Sequence, residues 1–191
     1  GNMLVEDNIR DTTYTSAVVF KTNTRGNKTL GINEIEGITG KAIKAIRNGE
    51  NVTGYVIVGD RIVVNPLEPL VANVSISSLR GAILDENFGV TRSFSVADET
   101  PVPAPPVINE SIILEDFTGE AIEVAPDGTY YILGTSKRAV TAQQLAPAEP
   151  FIIAYNPDNS ESWRKRYDLL GRTSQNSKSI HYNNGRITWA A

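Results

Sequence analysis

Short apolar runs recur along most of the chain, and glycine, proline, asparagine and aspartate separate them. Residues 14–22, 90–96 and 151–155 are rich in β-branched and aromatic side chains, which favour strands. Beyond residue 107, about seven such runs follow one another at a spacing typical of a β-sandwich or barrel. The pattern predicts a mainly β protein whose second half is an all-β sandwich or barrel-like domain.

Two segments of the first half predict helices instead. In residues 39–48, Ile43 and Ile46 are three positions apart, as on one face of a helix, and Gly49 is a common stop signal. The pattern in residues 78–84 favours a second, shorter helix over a strand. We therefore expect the first half to be β-rich with one or two short helices.

Turn residues predict where strands meet. Gly59-Asp60 lies between two apolar runs within residues 52–64, which predicts a tight hairpin. Asn183-Asn184-Gly185 predicts another, because Asn-Gly is the strongest short hairpin signal. Pro126-Asp127-Gly128 and residues 116–119 are further predicted turns. Residues 139–145 fit either a turn of helix or a strand.

A proline-rich stretch divides the chain. Residues 101–106 contain four prolines, which neither continue a helix nor pair in a sheet and which favour an extended spacer. We predict a flexible N-terminal arm over residues 1–13 and a β-rich docking or assembly domain over residues 14–99. A linker over residues 100–107 is expected to lead to an all-β projecting domain over residues 108–191.

Composition excludes several classes of function. The chain has no cysteine and one histidine, which removes disulfides, thiolate chemistry and cysteine-ligated zinc. The net charge of -4 argues against a general nucleic-acid binder. No apolar run reaches the roughly 20 residues of a membrane helix, and no signal peptide is recognisable at the N-terminus. We expect no cofactor, no metal, no nucleic acid and no membrane partner.

Charge is unevenly distributed in the second half. Residues 101–135 hold six acidic residues and no lysine or arginine, whereas residues 136–191 hold eight basic and four acidic residues. One interpretation is pairing of opposite charges across strands of one sheet. The other is assembly in which the acidic edge of one subunit meets the basic edge of its neighbour.

The run Trp163-Arg164-Lys165-Arg166-Tyr167 combines basic and aromatic residues, as nucleic-acid sites do. In a strand, however, Trp163, Lys165 and Tyr167 share one face, and the two arginines share the other. Three charges are too few to follow a phosphate backbone. We expect a solvated strand face with its aromatic residues inside.

Other candidate sites carry weaker signals. Asn156, Asp158 and Ser160 alternate like oxygen ligands of a calcium loop, but the sixth position is Glu161 rather than glycine. His181 has no sequence-local partners that form a known catalytic constellation. A polar hairpin loop and a non-catalytic histidine are the simpler expectations.

Most large aromatic residues lie beyond the linker, where they are candidates either for core packing or for a ligand or interface site. The possible ligand or interface residues are Tyr130, Tyr155, Trp163, Tyr167, Tyr182 and Trp189.

One part of the second half resembles a module of bacteriophage tail-fibre and other virion proteins. The resemblance rests on Gly128-Thr129-Tyr130-Tyr131-Ile132-Leu133, then Gln144-Leu145, then the strand-like run at 150–156 that ends in Tyr-Asn, then Trp163. It covers roughly 35 residues. Since no heptad, collagen-like or fibrous repeat is present, a compact decoration, collar, baseplate or short-fibre protein fits better than a long shaft.

The resemblance implies a non-enzymatic structural protein of the virion, assembled in a host cytoplasm. Sister subunits, forming a homo-oligomer and by resemblance a trimer, and other virion proteins are the expected partners. The alternative is a carbohydrate-binding module of an adhesin or an extracellular cell-surface protein, which would use the second-half aromatics on a glycan. A glycoside hydrolase acting through carboxylates is a third hypothesis.

Overall fold

The computed structural model describes residues 2–7, 12–27, 33–64, 75–96, 114–141, 144–145, 148–168 and 178–190. These residues form strands and no helix, which confirms the mainly β fold. In chain order the strands are β1 Asn2–Asp7, β2 Thr12–Val19, β3 Asn33–Ile35, β4 Thr39–Asn48, β5 Asn51–Val64, β6 Ser75–Leu84, β7 Val90–Val96, β8 Leu114–Val124, β9 Tyr130–Thr141, β10 Gln144–Leu145, β11 Glu149–Tyr155, β12 Glu161–Arg166, β13 Ser179–Asn183 and β14 Arg186–Ala190.

The strands form four antiparallel sheets. β1, β2 and β3 make the first, and β4 to β7 make the second in sequence order. In the third sheet, β9 pairs with β8, β10 and β11, and β11 pairs with β12. The hairpin of β13 and β14 is a separate two-stranded sheet.

The second and third sheets pack face to face and share one core. Val56 and Val58 of β5 contribute to the same buried cluster as Phe117, Ile132 and Ile153 of the third sheet. The two halves of the chain therefore bury apolar surface against each other, which is the main source of stability for such a sandwich. The proline-rich stretch lies outside the described residues, and the division into domains at 100–107 stays a prediction.

Two outer layers cover the sandwich. Ala17 and Ile35 of the first sheet pack against Ile57 and Leu84 on the outer face of the second sheet. On the opposite side, Ile180 of the hairpin packs with the third sheet. The order of the layers is therefore first sheet, second sheet, third sheet and hairpin.

The helix predicted over residues 39–48 is wrong, because this segment is β4 and pairs with β5. Ile43 lies opposite Ile57, whose side chain faces the outer layer, and is itself 42% exposed. Ile46 packs against the central core. A spacing of three puts the two isoleucines on opposite faces of a strand, so their helix-like spacing reflects contributions to two layers. The helix over residues 78–84 is also wrong, since β6 covers it.

The hairpin predicted at Gly59-Asp60 is wrong as well. β5 continues through both residues and pairs with β4 on one side and β6 on the other. Gly59 is required for a different reason: a Cβ there would collide with the backbone carbonyl oxygen of Thr39, next to a bulge in β4. The chain instead turns at Gly49, which has a φ of +61° between β4 and β5.

Residues 116–119 do not form the predicted turn, because they lie inside β8 and Phe117 is buried in the core. The ambiguous residues 139–141 extend β9 as a strand. The strand at 90–96 and the central position of residues 151–155, between β9 and β12, are confirmed.

The Asn-Gly hairpin is confirmed by β13 and β14, with positive φ at Asn184 and Gly185. At the opposite end of the chain, Asn2–Asp7 pairs with β2 as a strand. The role of residues 1–13 as an arm stays a prediction.

Among the residues that the structure describes, one type of turn occurs four times. In each five-residue loop, the first and last residues and the first and fourth residues are joined by backbone hydrogen bonds, and the fourth has positive φ. The turn predicted at residues 126–128 is one of them, and so is the loop at residues 156–160. The four residues with positive φ are Gly26, Phe88, Gly128 and Asn159.

Candidate functional site

The third sheet presents a second, outer face opposite its core. Along β11, Phe151, Ile153 and Tyr155 belong to the central core, whereas Ile152 belongs to the cluster beneath the hairpin. Strand alternation places Ala154 on that outer face with Ile152. Candidate binding residues of the second half therefore divide between the core face and an outer face that the hairpin partly covers.

A row of outer-face residues crosses all four long strands of this sheet. Glu123 of β8 lies opposite Tyr131 of β9, Tyr131 opposite Ala154 of β11, and Ala154 opposite Trp163 of β12. We call Glu123, Tyr131, Ala154 and Trp163 the outer row. Because opposite residues in neighbouring strands have close Cβ atoms, their side chains form one continuous surface.

Aromatic rings dominate the outer row. The ring of Tyr131 lies 6.2 Å from that of Trp163 and 5.7 Å from that of Tyr182, which stacks on it at an interplanar angle of 11°. Ala154 between them is buried, while Trp163 is 39% exposed. The indole is therefore the open end of a short series of rings.

The hairpin contributes its apolar face to the same surface. Ile180 lies opposite Trp189 and Tyr182 opposite Ile187, and these side chains are buried or half-buried. The ring of Trp189 contacts that of Tyr167 at 5.0 Å. The other hairpin face, which includes His181, is exposed. This alternation gives the hairpin one apolar face, and that face packs on the third sheet.

Tyr130 and Tyr155 are brought to the core rather than to this surface. They are 2% and 6% exposed, and their rings stack at 5.1 Å. The Tyr130 hydroxyl donates a hydrogen bond to Asn159 Oδ1 at 3.2 Å, and burial raises the pKa of both tyrosines. As placed, neither ring is available for stacking with an outside ligand.

The four other predicted residues, Trp163, Tyr167, Tyr182 and Trp189, meet on the outer face. Sequence reasoning missed Tyr131, which joins two of them. The signal was the Tyr130-Tyr131 pair itself: in a strand one ring must face each way, so the neighbour of a buried tyrosine is an outer-face tyrosine.

The basic run alternates as predicted, but its faces are reversed. Arg164 and Arg166 lie on the core side, with their guanidinium groups 5.9 Å and 5.6 Å from the centre of the Phe117 ring. Trp163 points outward and is 39% exposed, so the expectation that it lies inside is wrong, whereas Tyr167 is half-buried against the cluster beneath the hairpin. β12 is an edge strand, where long arginine stems cover the rim of the core while their charged ends reach water.

The loop at 156–160 forms a hydrogen-bonded turn. Asp158 Oδ1 accepts bonds from the backbone N and the hydroxyl of Ser160 at 2.9 Å and 2.6 Å, and these bonds lower the pKa of Asp158. Asn156 donates its side-chain amide to the same hydroxyl at 2.9 Å. Within the described ranges, no group of three or more His, Asp or Glu side chains is placed to hold a metal ion.

Two ion-pair clusters join β4 to β8. Lys41 Nζ lies 2.9 Å from Glu120 Oε1 and 3.5 Å from Asp60 Oδ1. Burial raises the pKa of Asp60, with the positive charge of Lys41 opposing that rise. For Lys41, burial opposes the two carboxylates, which prevail and raise its pKa. The longer contact is a charge pairing at the limit of hydrogen-bond distance, and it is the contact that compensates the buried Asp60 Oδ1.

The second cluster is centred on Glu123 at the end of the outer row. Lys44 Nζ lies 3.2 Å and His181 Nδ1 3.7 Å from Glu123 Oε2. Two acids of the acidic segment thus pair with lysines of the first half, an arrangement that neither interpretation of the charge pattern included. Glu115 and Asp116 lie in backbone register opposite Arg138 and Lys137, and the pairing of their charges stays a prediction.

Across the described part of the chain, no helix has the length and apolar character that crossing a membrane requires. A scan of the sequence against models of protein families finds no match, and a search of curated proteins finds none either.

Proposed function

We propose that this chain is a non-enzymatic structural protein of a bacteriophage particle, of the decoration, collar, baseplate or short-fibre kind. The observation that carries the proposal is that the virion-like residues lie together in the fold. The aromatic run belongs to β9, the run ending in Tyr-Asn is β11, and the tryptophan stands on β12, which pairs with β11. The resemblance therefore corresponds to one contiguous structural unit.

The distribution of exposed apolar residues supports docking through the first half. Among the described residues, the exposed large hydrophobic side chains are Phe20, Ile43, Val90 and Trp163. Three of the four precede the proline-rich stretch. In this proposal, these three side chains lie on the docking surface, where an assembly partner would cover them.

Self-association is part of the same proposal. Sister subunits form a closed homo-oligomer, with a trimer as the expected symmetry, and the first half docks on other virion proteins. The second half, with its outer aromatic face, projects away from the particle. Assembly takes place in the host cytoplasm.

The proposal is tested on particles from the culture that produces this chain. Particles purified by density gradient are labelled with an antibody against the full chain and viewed by electron microscopy. We expect label at one fixed position on each particle, such as the collar, baseplate or shell. A host cytoplasmic protein probed in the same preparation is the control, and absence of the chain from intact particles would contradict the proposal.

A further inference from the structure

The outer row has the composition of a sugar-stacking surface. A pyranose ring has apolar C–H faces and a rim of hydroxyls, so it binds where an exposed aromatic ring adjoins polar groups. Trp163 supplies the exposed ring, at 39% exposure. Tyr131 follows along the row with Tyr182 of the hairpin stacked on it, and Glu123, beside His181 of the hairpin, forms the other end of the row.

The charges along the row favour a neutral ligand. Glu161 already pairs with Arg164 at 2.8 Å, and Glu123 pairs with Lys44 at 3.2 Å. The ammonium group of Lys165 lies 5.6 Å from the centre of the Tyr167 ring. The two carboxylates are thus paired with cations and the Lys165 ammonium has an aromatic neighbour, so the row is not a cluster of like charges of the kind that favours a sulfated, phosphorylated or nucleic-acid ligand.

The exposed apolar area is too small to favour a protein partner. A stable protein interface buries roughly 1,200–2,000 Å² around an apolar centre. On this face, Trp163 alone among the described residues is a large hydrophobic side chain in the exposed class. One open indole beside half-buried rings offers a stacking surface for a sugar ring rather than the apolar centre of a protein interface.

We propose that the outer row binds a neutral oligosaccharide, with one sugar ring stacked on Trp163. The adjoining sugars lie along Tyr131 and Tyr182, whose hydroxyls offer hydrogen bonds to the sugar rim. This function goes beyond the structural role proposed above and does not depend on it, because a glycan site serves an adhesin of any origin equally well.

The test begins with the full chain on an array of neutral and anionic glycans. The best neutral ligand is then titrated by calorimetry against the wild type, Trp163→Ala, Trp163→Tyr and Phe20→Ala. Phe20 is the matched control, because it is a similarly exposed aromatic at 48% in the first half. We expect Trp163→Ala to weaken binding at least about tenfold, Trp163→Tyr to retain most of it, and Phe20→Ala to leave it unchanged.

A second measurement covers the case in which Trp163→Ala fails to fold. Saturation-transfer NMR on the wild type reports which ligand protons touch the protein, and we expect the strongest transfer from the aromatic region to the C–H protons of one sugar face. The proposal is overturned if no neutral glycan binds, or if only anionic glycans bind. Unchanged affinity in a folded Trp163→Ala variant would overturn it equally.

Discussion

Phe88 adopts a backbone conformation that residues other than glycine disfavour. Its φ is +67°, in the left-handed region that costs an ordinary residue about 1–2 kcal/mol. The side chain is 4% exposed, and its ring lies 4.8 Å from that of Tyr55. Packing therefore holds a backbone conformation in which the other turns of this type place glycine or asparagine.

Two substitutions at Phe88 separate packing from strain. Phe88→Ala loses the packing and keeps the positive φ, so we expect the free energy of unfolding to fall by about 3–5 kcal/mol. Phe88→Gly loses the same packing and relieves the strain, so it should be more stable than Phe88→Ala by about 1 kcal/mol. Urea denaturation measures both, and a glycine variant no more stable than the alanine variant would contradict this account.

Asp60 predicts a pH dependence. Burial raises the pKa of this carboxyl in the folded state, so the folded protein binds the proton more tightly than the unfolded chain. The contribution of Asp60 to stability is therefore greatest below its unfolded pKa of about 3.9 and declines as pH rises through the folded pKa. Asp60→Asn removes this titration.

The expected result is that Asp60→Asn gains stability relative to the wild type as pH rises from about 3 to about 6. Melting temperatures across this range measure the difference. Glu86→Gln, at an exposed turn, is the control for loss of one carboxylate. A difference between Asp60→Asn and the wild type that is constant or shrinks with rising pH would show that Asp60 does not titrate in this way.

At the scale of elements, the hairpin of β13 and β14 is the most separable part of the described fold. It is a two-stranded sheet of its own, and such hairpins are marginally stable alone. Ile180, 7% exposed, anchors it above Leu133 and Ile152. The hairpin should therefore open without unfolding of the sandwich beneath it.

Ile180→Ala tests this separation. We expect amide hydrogens of β13 and β14 to exchange faster, because the variant loses about 2–4 kcal/mol of local packing, while those of β5 and β11 remain protected. Arg186→Ala, which changes an exposed residue of β14, should leave both regions unchanged. Equal loss of protection across all four strands would mean that the hairpin is part of one cooperative unit.

The sequence predicts an element well when its pattern depends only on the residues of that element. Asn184-Gly185 needs positive φ at both turn positions, and the apolar run of β11 fits a central strand whatever surrounds it. The sequence predicts an element less well when a residue type such as glycine can serve either a turn or a close approach of two strands. Gly59 looks like a turn glycine but allows close approach of β4, and that neighbour cannot be read from the sequence.

In the candidate site, too, local patterns were predictable and features that depend on neighbouring strands were not. Alternation along the Trp163 run was predictable, but the face toward the core depends on which strands lie beside β12 and on Phe117, which is distant in sequence. The same dependence on neighbouring strands explains why two of the six predicted aromatic residues lie in the core and four lie on the outer face. Nothing local distinguishes Tyr130, which faces the second sheet, from Tyr131, which faces outward.

At the scale of the whole molecule, the shared core couples the two halves of the chain. Val58 of β5 is fully buried in the same cluster as Phe151 and Ile153 of β11. Domains that share a core of this kind unfold together, whereas domains joined only by a linker unfold separately.

Val58→Ala tests the coupling. Both tryptophans lie in the second half, so their fluorescence reports on that half. We expect Val58→Ala to lower the denaturation midpoint of the tryptophan signal, for a loss of about 2 kcal/mol, and to leave a single transition. Ile43→Ala, on the exposed side of β4, is the control. An unchanged denaturation midpoint of the tryptophan signal in Val58→Ala would show that the two halves unfold independently.

The central claim is that this chain is a self-associating structural subunit, and absolute mass in solution tests it most directly. Light scattering on a sizing column, over a wide range of loading concentrations, should give a constant multiple of 20.8 kDa, with three copies as the expected number. A monodisperse monomer at every concentration would contradict the account.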